Sequence, residues 1–425
     1  MLLRGYFANK TYKLKMWLDD PENKIWMTPF LAILLAIVLL ITIWYVDTSV
    51  KIPHSISINV DTLNAILDII ASSMLAVATF SLGIMVSAFA SVSSNITPRA
   101  TVIVMSDKTT QKAISSFLAS FLYAVIAKIA LGQGIYTQGG IYLLFILTLL
   151  VLAYLVFTLI SWVKTLSTLG RLNNTVKKIE TISKEEIIKF WENPNFNLVE
   201  EPLTEHRYHI LSSEIGYLSN IQFKELNNYC EDHHAKFDII VRPGDFIGYG
   251  TILCYTNRYI ENKADILNFF IIEATQKHND NPNYGLLILS EIGQRALSPA
   301  VNDPGSAIYV LTVIANILNE NKDIKPSNPT IEHKNLSIVP YDMNNFILPI
   351  HGPLLRDAQN NIEVLIHLQR LLATLQKNQN ETLAKSAKAY AKISFEHGEK
   401  SLTQAEEKKR FTQIHETLFK ASTHS

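Results

Sequence analysis

The chain has 425 residues, enough for two or three domains, and 48% of them are hydrophobic against only 18% charged, a more apolar balance than water-soluble proteins show. Lysine plus arginine equals aspartate plus glutamate at 38 each, which excludes a bulk basic surface for nucleic acid. Two cysteines, Cys230 and Cys254, without CxxC spacing, suggest neither a disulfide framework nor a zinc ribbon and read as buried or incidental thiols.

Residues 26–45, WMTPFLAILLAIVLLITIWY, hold no charge over the roughly twenty positions that a helix needs to cross about 30 Å of hydrocarbon. The run begins late, is too long for a signal-peptide core and lacks a small-residue cleavage site after it, so it reads as a transmembrane helix. Three more spans follow at about 65–92, 113–136 and 141–163. Basic residues cluster before the first span (Arg4, Lys10, Lys13, Lys15, Lys24), between the second and third (Arg99, Lys108, Lys112) and after the fourth (Lys164, Arg171, Lys177, Lys178). The other two connections carry only Lys51, so the positive-inside rule predicts that both termini are cytoplasmic and that everything after Lys164 is cytosolic.

The second span differs from its neighbours. Steps of three and four from Asp61 give Ala65, Asp68, Ser72, Ala76, Thr79, Gly83, Ser87, Ala90 and Ser94, one helical face made almost wholly of small or hydroxylated residues. Such a stripe suits a packing seam, within the four-helix bundle or between subunits. It also suits a wetted ion pathway, with Asp61 and Asp68 as an acidic entrance and the hydroxyls replacing part of an ion's hydration. Lys128 in the third span is expected to snorkel to the interface, with a pair to Asp68 as the alternative.

The cytosolic part begins with a helical stalk over 166–200, LNNTVKKIETISKEEIIKFW continuing the fourth span until NPNFNLVEEP breaks the pattern. Residues 201–258 read as a small β-barrel or half-barrel. Alternating runs at 216–221, 237–241 and 251–255 are separated by a helix over 226–233 and a turn at Pro243, Gly244 and Asp245. VRPGDFIGYGTIL resembles the hairpin of biotinyl/lipoyl-like barrels, but no lysine sits at its tip for a prosthetic group, so the module is expected to be structural and no cofactor is expected. A helical pair follows over 259–320. Gly285, Leu289, Ile292 and Ala296 share a face that Pro299 terminates, and Asp303 with Pro304 opens a second helix with Ile308, Leu311, Ile314 and Leu318 inward. The intervening RALSPAVNDPGSA turn is explained by capping. Arg295, Ser298, Asn302 and Asp303 are also candidates for a small polar or anionic ligand or for a subunit contact. After a polar linker, residues 337–425 suggest a C-terminal helical hairpin or bundle. The fold class is therefore a four-helix transmembrane bundle followed by an α+β cytosolic region.

FSLGIMVSAFASVSSNITPRA, IGYLSNIQ, VRPGDFIGYG and YGLLILSEIGQRALSPAVNDPGSA resemble successive segments of the bacterial domain-of-unknown-function 2254 family. The resemblance spans nearly the whole chain. It departs at QKHNDNPNYG from Gln276, where the family typically has an Arg-Thr, Glu-Gln-Asp-Pro run, leaving Lys277, Asp280 and Asn281 as imperfect replacements. Gly305 stands where an aromatic is common. The resemblance implies a multi-pass protein of the bacterial inner membrane and supplies no reaction.

No P-loop, GxGxxG, GxSxG or HExxH occurs. His206 and His209 form a lone HxxH and His233-His234 a doublet, neither with the carboxylates or cysteines a metal site needs, so no metal is expected. Aromatic and basic residues are not interleaved, which argues against single-stranded nucleic acid. Three functions compete: an oligomeric channel or transport component for a small ion, a membrane-anchored scaffold or ligand sensor, and an enzyme using Arg295 and Asp303. The last lacks a nucleophile, metal set or phosphate loop, so no catalytic residue is assigned.

Overall fold

The computed structural model describes residues 21–49, 58–105, 108–166, 170–205, 208–276, 280–320 and 331–420. The chain forms two compact units, dividing between Thr175 and Val176. Among the described residues, four helices are long and apolar enough to cross a membrane: Met27–Ser49, Val60–Ser94, Thr109–Gly132 and Gln138–Leu166.

In the first unit these spans lie in α1 (Pro21–Ser49), α2 (Val60–Asn95), α4 (Lys108–Gly132) and α5 (Gln138–Leu166), with a short α3 (Pro98–Met105) between the second and third. α4 is central: half of its apolar window is buried, against about a fifth in the other three. Small residues allow this, since Ala113, Ala124, Ala127 and Ala130 let neighbouring backbones approach closely. Polar groups inside the bundle are met locally. Tyr123 Oη and Thr148 Oγ1 lie 2.8 Å apart, and the Thr148 hydroxyl is also 2.7 Å from the Leu144 carbonyl. Ser115 Oγ donates to the Gln111 carbonyl at 2.6 Å. At one end of α5, the Asp47 carboxylate accepts from Thr137 N at 2.8 Å and Thr137 Oγ1 at 2.5 Å. It lies so close to Gly140 that a Cβ there would collide with it, which ties α1 to the start of α5.

The expected continuous stalk is interrupted. α5 ends at Leu166, Gly170 adopts a left-handed φ of 78°, and a new helix, α6, runs from Leu172 to Glu192.

The C-terminal unit is α+β. Strands β1 (Leu198–Val199), β2 (Tyr208–Leu211), β4 (Phe237–Ile239), β6 (Ile252–Thr256) and β8 (His333–Ile338) form a sheet in the order β1-β8-β4-β6-β2. Strands β3 (Gly216–Ile221), β5 (Phe246–Ile247) and β7 (Phe270–Glu273) form a second, antiparallel sheet in the order β5-β3-β7. Of the β-barrel or half-barrel anticipated within 201–258, the closed form is corrected here, because neither sheet closes among the described residues. The reason is topological: β8 enters from far along the chain and inserts parallel between β1 and β4, leaving β1 and β2 as separate edges. Helices α7 (Phe223–His233) and α8 (Lys263–Leu267) accompany the sheets. Their shared core joins Ile210, Leu218, Phe237, Leu253, Ile266 and Leu336. Both cysteines are buried there, and burial pushes the Cys230 thiol up to about 12 and raises that of Cys254 as well, so neither is a reactive thiolate at neutral pH.

Two buried ionisable groups lock the long-range pairings. Asp238 on β4 accepts from Leu203 N at 2.6 Å, Thr204 N at 2.9 Å, Thr204 Oγ1 and Ser337 Oγ at 2.6 Å. Arg242 donates from Nε to the Val339 carbonyl at 2.7 Å, from Nη1 to the Pro194 carbonyl at 2.8 Å and from Nη2 to Asn195 Oδ1 at 2.8 Å, between the rings of Phe196 and Tyr341.

The helical part comprises α9 (Tyr284–Leu297), α10 (Pro304–Leu318), α11 (Leu348–Ala358), α12 (Ile362–Leu375), α13 (Glu381–Ser401) and α14 (Ala405–Lys420). α9 and α10 pack against each other, and α13 and α14 follow toward the C-terminus. Close approaches need glycine: a Cβ at Gly285 would collide with Ser183 Oγ and come within 2.9 Å of Ser183 Cβ. Gly285→Val is therefore expected to cost about 1–3 kcal/mol of stability by overpacking. Gly305→Ala, whose Cβ would sit 3.4 Å from Asp303 Oδ1, is expected to stay within about 0.5 kcal/mol. Thermal unfolding of the purified full chain measures both, and equal melting temperatures would contradict the packing account.

His351 on α11 is fully buried; its Nδ1–H donates to the Ile347 carbonyl at 3.1 Å and Nε2 has no partner. Burial holds its pKa down at about 4, from an ordinary value near 6.5. The folded state thus binds a proton less readily than the unfolded chain. The associated stability, on the order of 3 kcal/mol, is intact above about pH 6.5 and is lost as pH falls from there through about 4. Melting temperature should fall with pH across that window for the natural protein and fall less steeply for His351→Leu; identical slopes would remove His351 as the cause.

Candidate functional site

In the membrane unit, α2 presents two unlike faces. Leu63, Leu67, Ile70, Ala78, Ser81, Met85 and Val92 are buried. Asp61, Asp68, Ser72, Thr79, Gly83, Ser87 and Ser94 are all exposed, as are the intervening Ala65, Ala76 and Ala90. At about 100° per residue the two sets stand roughly 180° apart. The aliphatic ridge is consumed by the fold of one chain, and the small, hydroxylated ridge points away from it. Ile69, Leu75, Phe80 and Val86, each at least 43% exposed, flank that ridge with bulky apolar surface.

The hydroxyl protons of the ridge turn back on the helix. Ser72 Oγ donates to the Asp68 carbonyl at 2.8 Å, and Thr79 Oγ1 lies 2.9 Å from the Leu75 and Ala76 carbonyls. This leaves oxygen lone pairs, not donors, facing outward, a surface suited to cations. Asp68 forms an ion pair with Lys128 of α4, in place of the snorkelling expected of that lysine. Asp61 stands in the first turn of α2, its amide bonded to the N-cap Asn59 Oδ1 at 2.8 Å, where a carboxylate also favours the helix dipole.

In the C-terminal unit, the turn between α9 and α10 is exposed and internally bonded. Ser298 Oγ donates to the Arg295 carbonyl at 2.7 Å, and the amides of Val301 and Asn302 bond to the Ser298 carbonyl at 3.0 and 2.9 Å. Asn302 takes a left-handed φ of 46°. Asp303 N donates to the Ala296 carbonyl at 2.7 Å, and its carboxylate caps α10, accepting from Ser306 N at 3.0 Å and Ser306 Oγ at 2.6 Å. Those hydrogen bonds hold the Asp303 carboxyl below its ordinary range. Arg295, Ser298, Asn302 and Asp303 are thus brought together through main-chain bonds that capping requires.

His206 and Lys277 lie outside the described residues. Asp280 accepts from Asn220 Nδ2 at 2.9 Å, and the Asn281 side chain lies against Gly244. Among the described residues no group of three His, Cys, Asp or Glu is placed to hold a metal ion. One feature escaped sequence reasoning: a cleft of about 490 Å³ that brings together Lys184, Asn316, His367 and Arg370 from three helices far apart in the chain. No local spacing marks it. The available signal is polar residues at i, i+3 and i+7 on α12 (His367, Arg370, Thr374) and at i, i+4 and i+7 along α10 and its C-cap (Thr312, Asn316, Asn319).

A family model described as predicted membrane protein (DUF2254) matches residues 22–374. No curated protein and no solved structure matches the chain. The matched region takes in the four apolar helices, both sheets and the helices through α12, so the chain belongs to the DUF2254 family of predicted membrane proteins.

Proposed function

We propose that the protein is a homo-oligomeric channel or transport component for small cations in the bacterial inner membrane, both termini cytoplasmic, with the C-terminal unit governing assembly or gating. The observation that carries this reading is the outward ridge of α2. A small, hydroxylated face that the described residues leave exposed from Ser72 to Ser87 is accommodated in a bilayer by copies of itself or by water. One four-helix bundle encloses little lumen, so the pathway needs several subunits around an axis. The outward lone pairs and the carboxylates of Asp61 and Asp68 favour cations.

Cysteines introduced in the ridge test the assembly, because Cys230 and Cys254 are buried and add little background. Ala76→Cys and Gly83→Cys should crosslink between copies in native membranes. Phe157→Cys, at a residue of α5 that is 74% exposed on an apolar face, should not. Ridge cysteines that neither crosslink nor react with a water-soluble maleimide would place the ridge among acyl chains and end the proposal.

The ion pair makes a second test with opposite signs. Asp68→Asn, with or without Asp61→Asn, leaves Lys128 unbalanced and should lower cation flux in proteoliposomes several-fold. Lys128→Gln frees Asp68 and should raise it. Equal flux in all variants would remove these residues from the pathway.

The alternative is a membrane-anchored scaffold or ligand sensor without conduction. It is favoured by the exposed turn at Arg295, Ser298, Asn302 and Asp303, where Val301 is 51% exposed at a helix-pair tip.

A further inference from the structure

We infer that the cleft between α6, α10 and α12 binds a small organic anion, whose phosphate or carboxylate docks on Arg370. This inference lies wholly within the C-terminal unit and does not depend on conduction. The cleft holds about 490 Å³, within the range of small-molecule sites.

Its two long walls repeat one pattern. α12 contributes His367, Arg370, Leu371 and Thr374, at i, i+3, i+4 and i+7. α10 contributes Thr312, Ala315 and Asn316, with Asn319 one turn further, at the same spacing. The buried residues of α10 are all aliphatic and those of α12 are aliphatic apart from Gln369, so each helix interrupts its apolar character on the face turned to the cleft. Leu371, 4% exposed, and Ala315 supply the apolar part, and the rest is polar.

The polar groups divide into those already committed and those left over. His367 Nε2 lies 2.9 Å from Thr312 Oγ1, and the Thr312 hydroxyl donates to the Ile308 carbonyl at 2.9 Å. The threonine proton being used, the imidazole proton sits on Nε2, and the ring clamps α12 to α10. Lys184 of α6 is held by Glu320 at 2.6 Å and Glu180 at 3.3 Å. Arg370 is different. It is exposed, and its guanidinium makes no ion pair or hydrogen bond with any described residue, nor does the amide of Asn316. Glu320 and Glu180 balance Lys184, which leaves Arg370 as the cation of the cleft with no carboxylate committed to it among the described residues. An uncommitted, planar five-donor guanidinium is matched by an oxyanion. Asn316 and Thr374 are placed to hydrogen-bond the hydroxyl or amide groups of the remainder, and Leu371 with Ala315 gives its apolar part a surface.

Isothermal titration of the purified full chain tests this with inorganic phosphate, adenosine monophosphate, glucose 6-phosphate and glutarate, beside the neutral adenosine and glucose. At least one organic anion should bind and its neutral counterpart should not. Binding of the phosphorylated probes over glutarate assigns phosphate, and the reverse assigns carboxylate. Arg370→Gln should weaken binding about tenfold or more, as expected for a lost charge-assisted hydrogen bond. Arg356→Gln on α11, whose guanidinium pairs with Asp357, should leave it unchanged. Arg370 is exposed, so its variant should melt at the natural temperature, and Asn316→Ala should weaken the organic probes more than inorganic phosphate. No binding by any anion, or equal binding by Arg370→Gln, would overturn the site.

Discussion

In hydrocarbon a helix meets its backbone hydrogen bonds internally, so side chains alone decide what stands against each of its faces. In α2 that constraint acts twice. The aliphatic ridge of Leu63, Leu67 and Ile70 packs inside the bundle, where shape and dispersion hold it. The opposite ridge has little bulk to fill space against lipid chains and, beyond the Asp68–Lys128 ion pair, stays exposed from Ser72 to Ser87 among the described residues. Its hydroxyls reduce their cost by bonding to the preceding turn, yet two carboxylates and a column of lone pairs still face outward. The bundle therefore buries one side of this helix and leaves the other exposed.

The C-terminal unit meets a different constraint, that of joining strands remote in sequence. Parallel insertion of β8 beside β4 closes a long loop and incurs its entropy. Asp238 within β4 and Arg242 just beyond it offset that entropy. The aspartate collects hydroxyl and amide donors from 203–204 and from Ser337 of β8. The arginine gathers carbonyls at Pro194 and Val339. Burial lowers the Arg242 pKa to about 10, still above neutrality, so the guanidinium stays charged and its hydrogen bonds stay charge-assisted. Removing either group would strand buried partners in several segments at once, which is why such groups persist in an otherwise aliphatic core.

These two constraints explain what could be read in advance. Membrane spans are legible because length and absence of charge are properties of a continuous stretch, and α2 and α5 fall where those properties predict. The α9–α10 turn is legible for the same reason: Pro299, Asp303 and Pro304 act on adjacent residues, and the structure uses Asp303 as the N-cap of α10. The sheets are legible only in part. Alternation marks the runs that form β3, β4 and β6, but β1 and β5 have two residues each, too short for alternation to register, and the strand that inserts into the larger sheet lies beyond 321–330. Gly170 was read through because a single glycine after a long apolar helix is weak punctuation until its φ is known. The 490 Å³ cleft was invisible because its walls meet only when α6, α10 and α12 are packed.

The ion pair between Asp68 and Lys128 bears on how the ridge can be used. A lysine free to snorkel would leave Asp68 as a bare carboxylate on a span, a costly arrangement in lipid. Pairing lowers that cost without burying either group, since the side chains keep 57% and 47% of their exposure. Exposed pairs contribute little in water, but in a low-dielectric surrounding the same contact strengthens and fixes α4 to α2 at this level. Neutralisation also divides the ridge. Asp61 stands at the first turn of α2, Asp68 is paired with Lys128, and from Ser72 to Ser94 the ridge carries no further acidic residue. A cation moving along such a face in the proposed assembly meets a strong site at one end and weak, repeated ones after it, the gradation that lets an ion enter without being trapped.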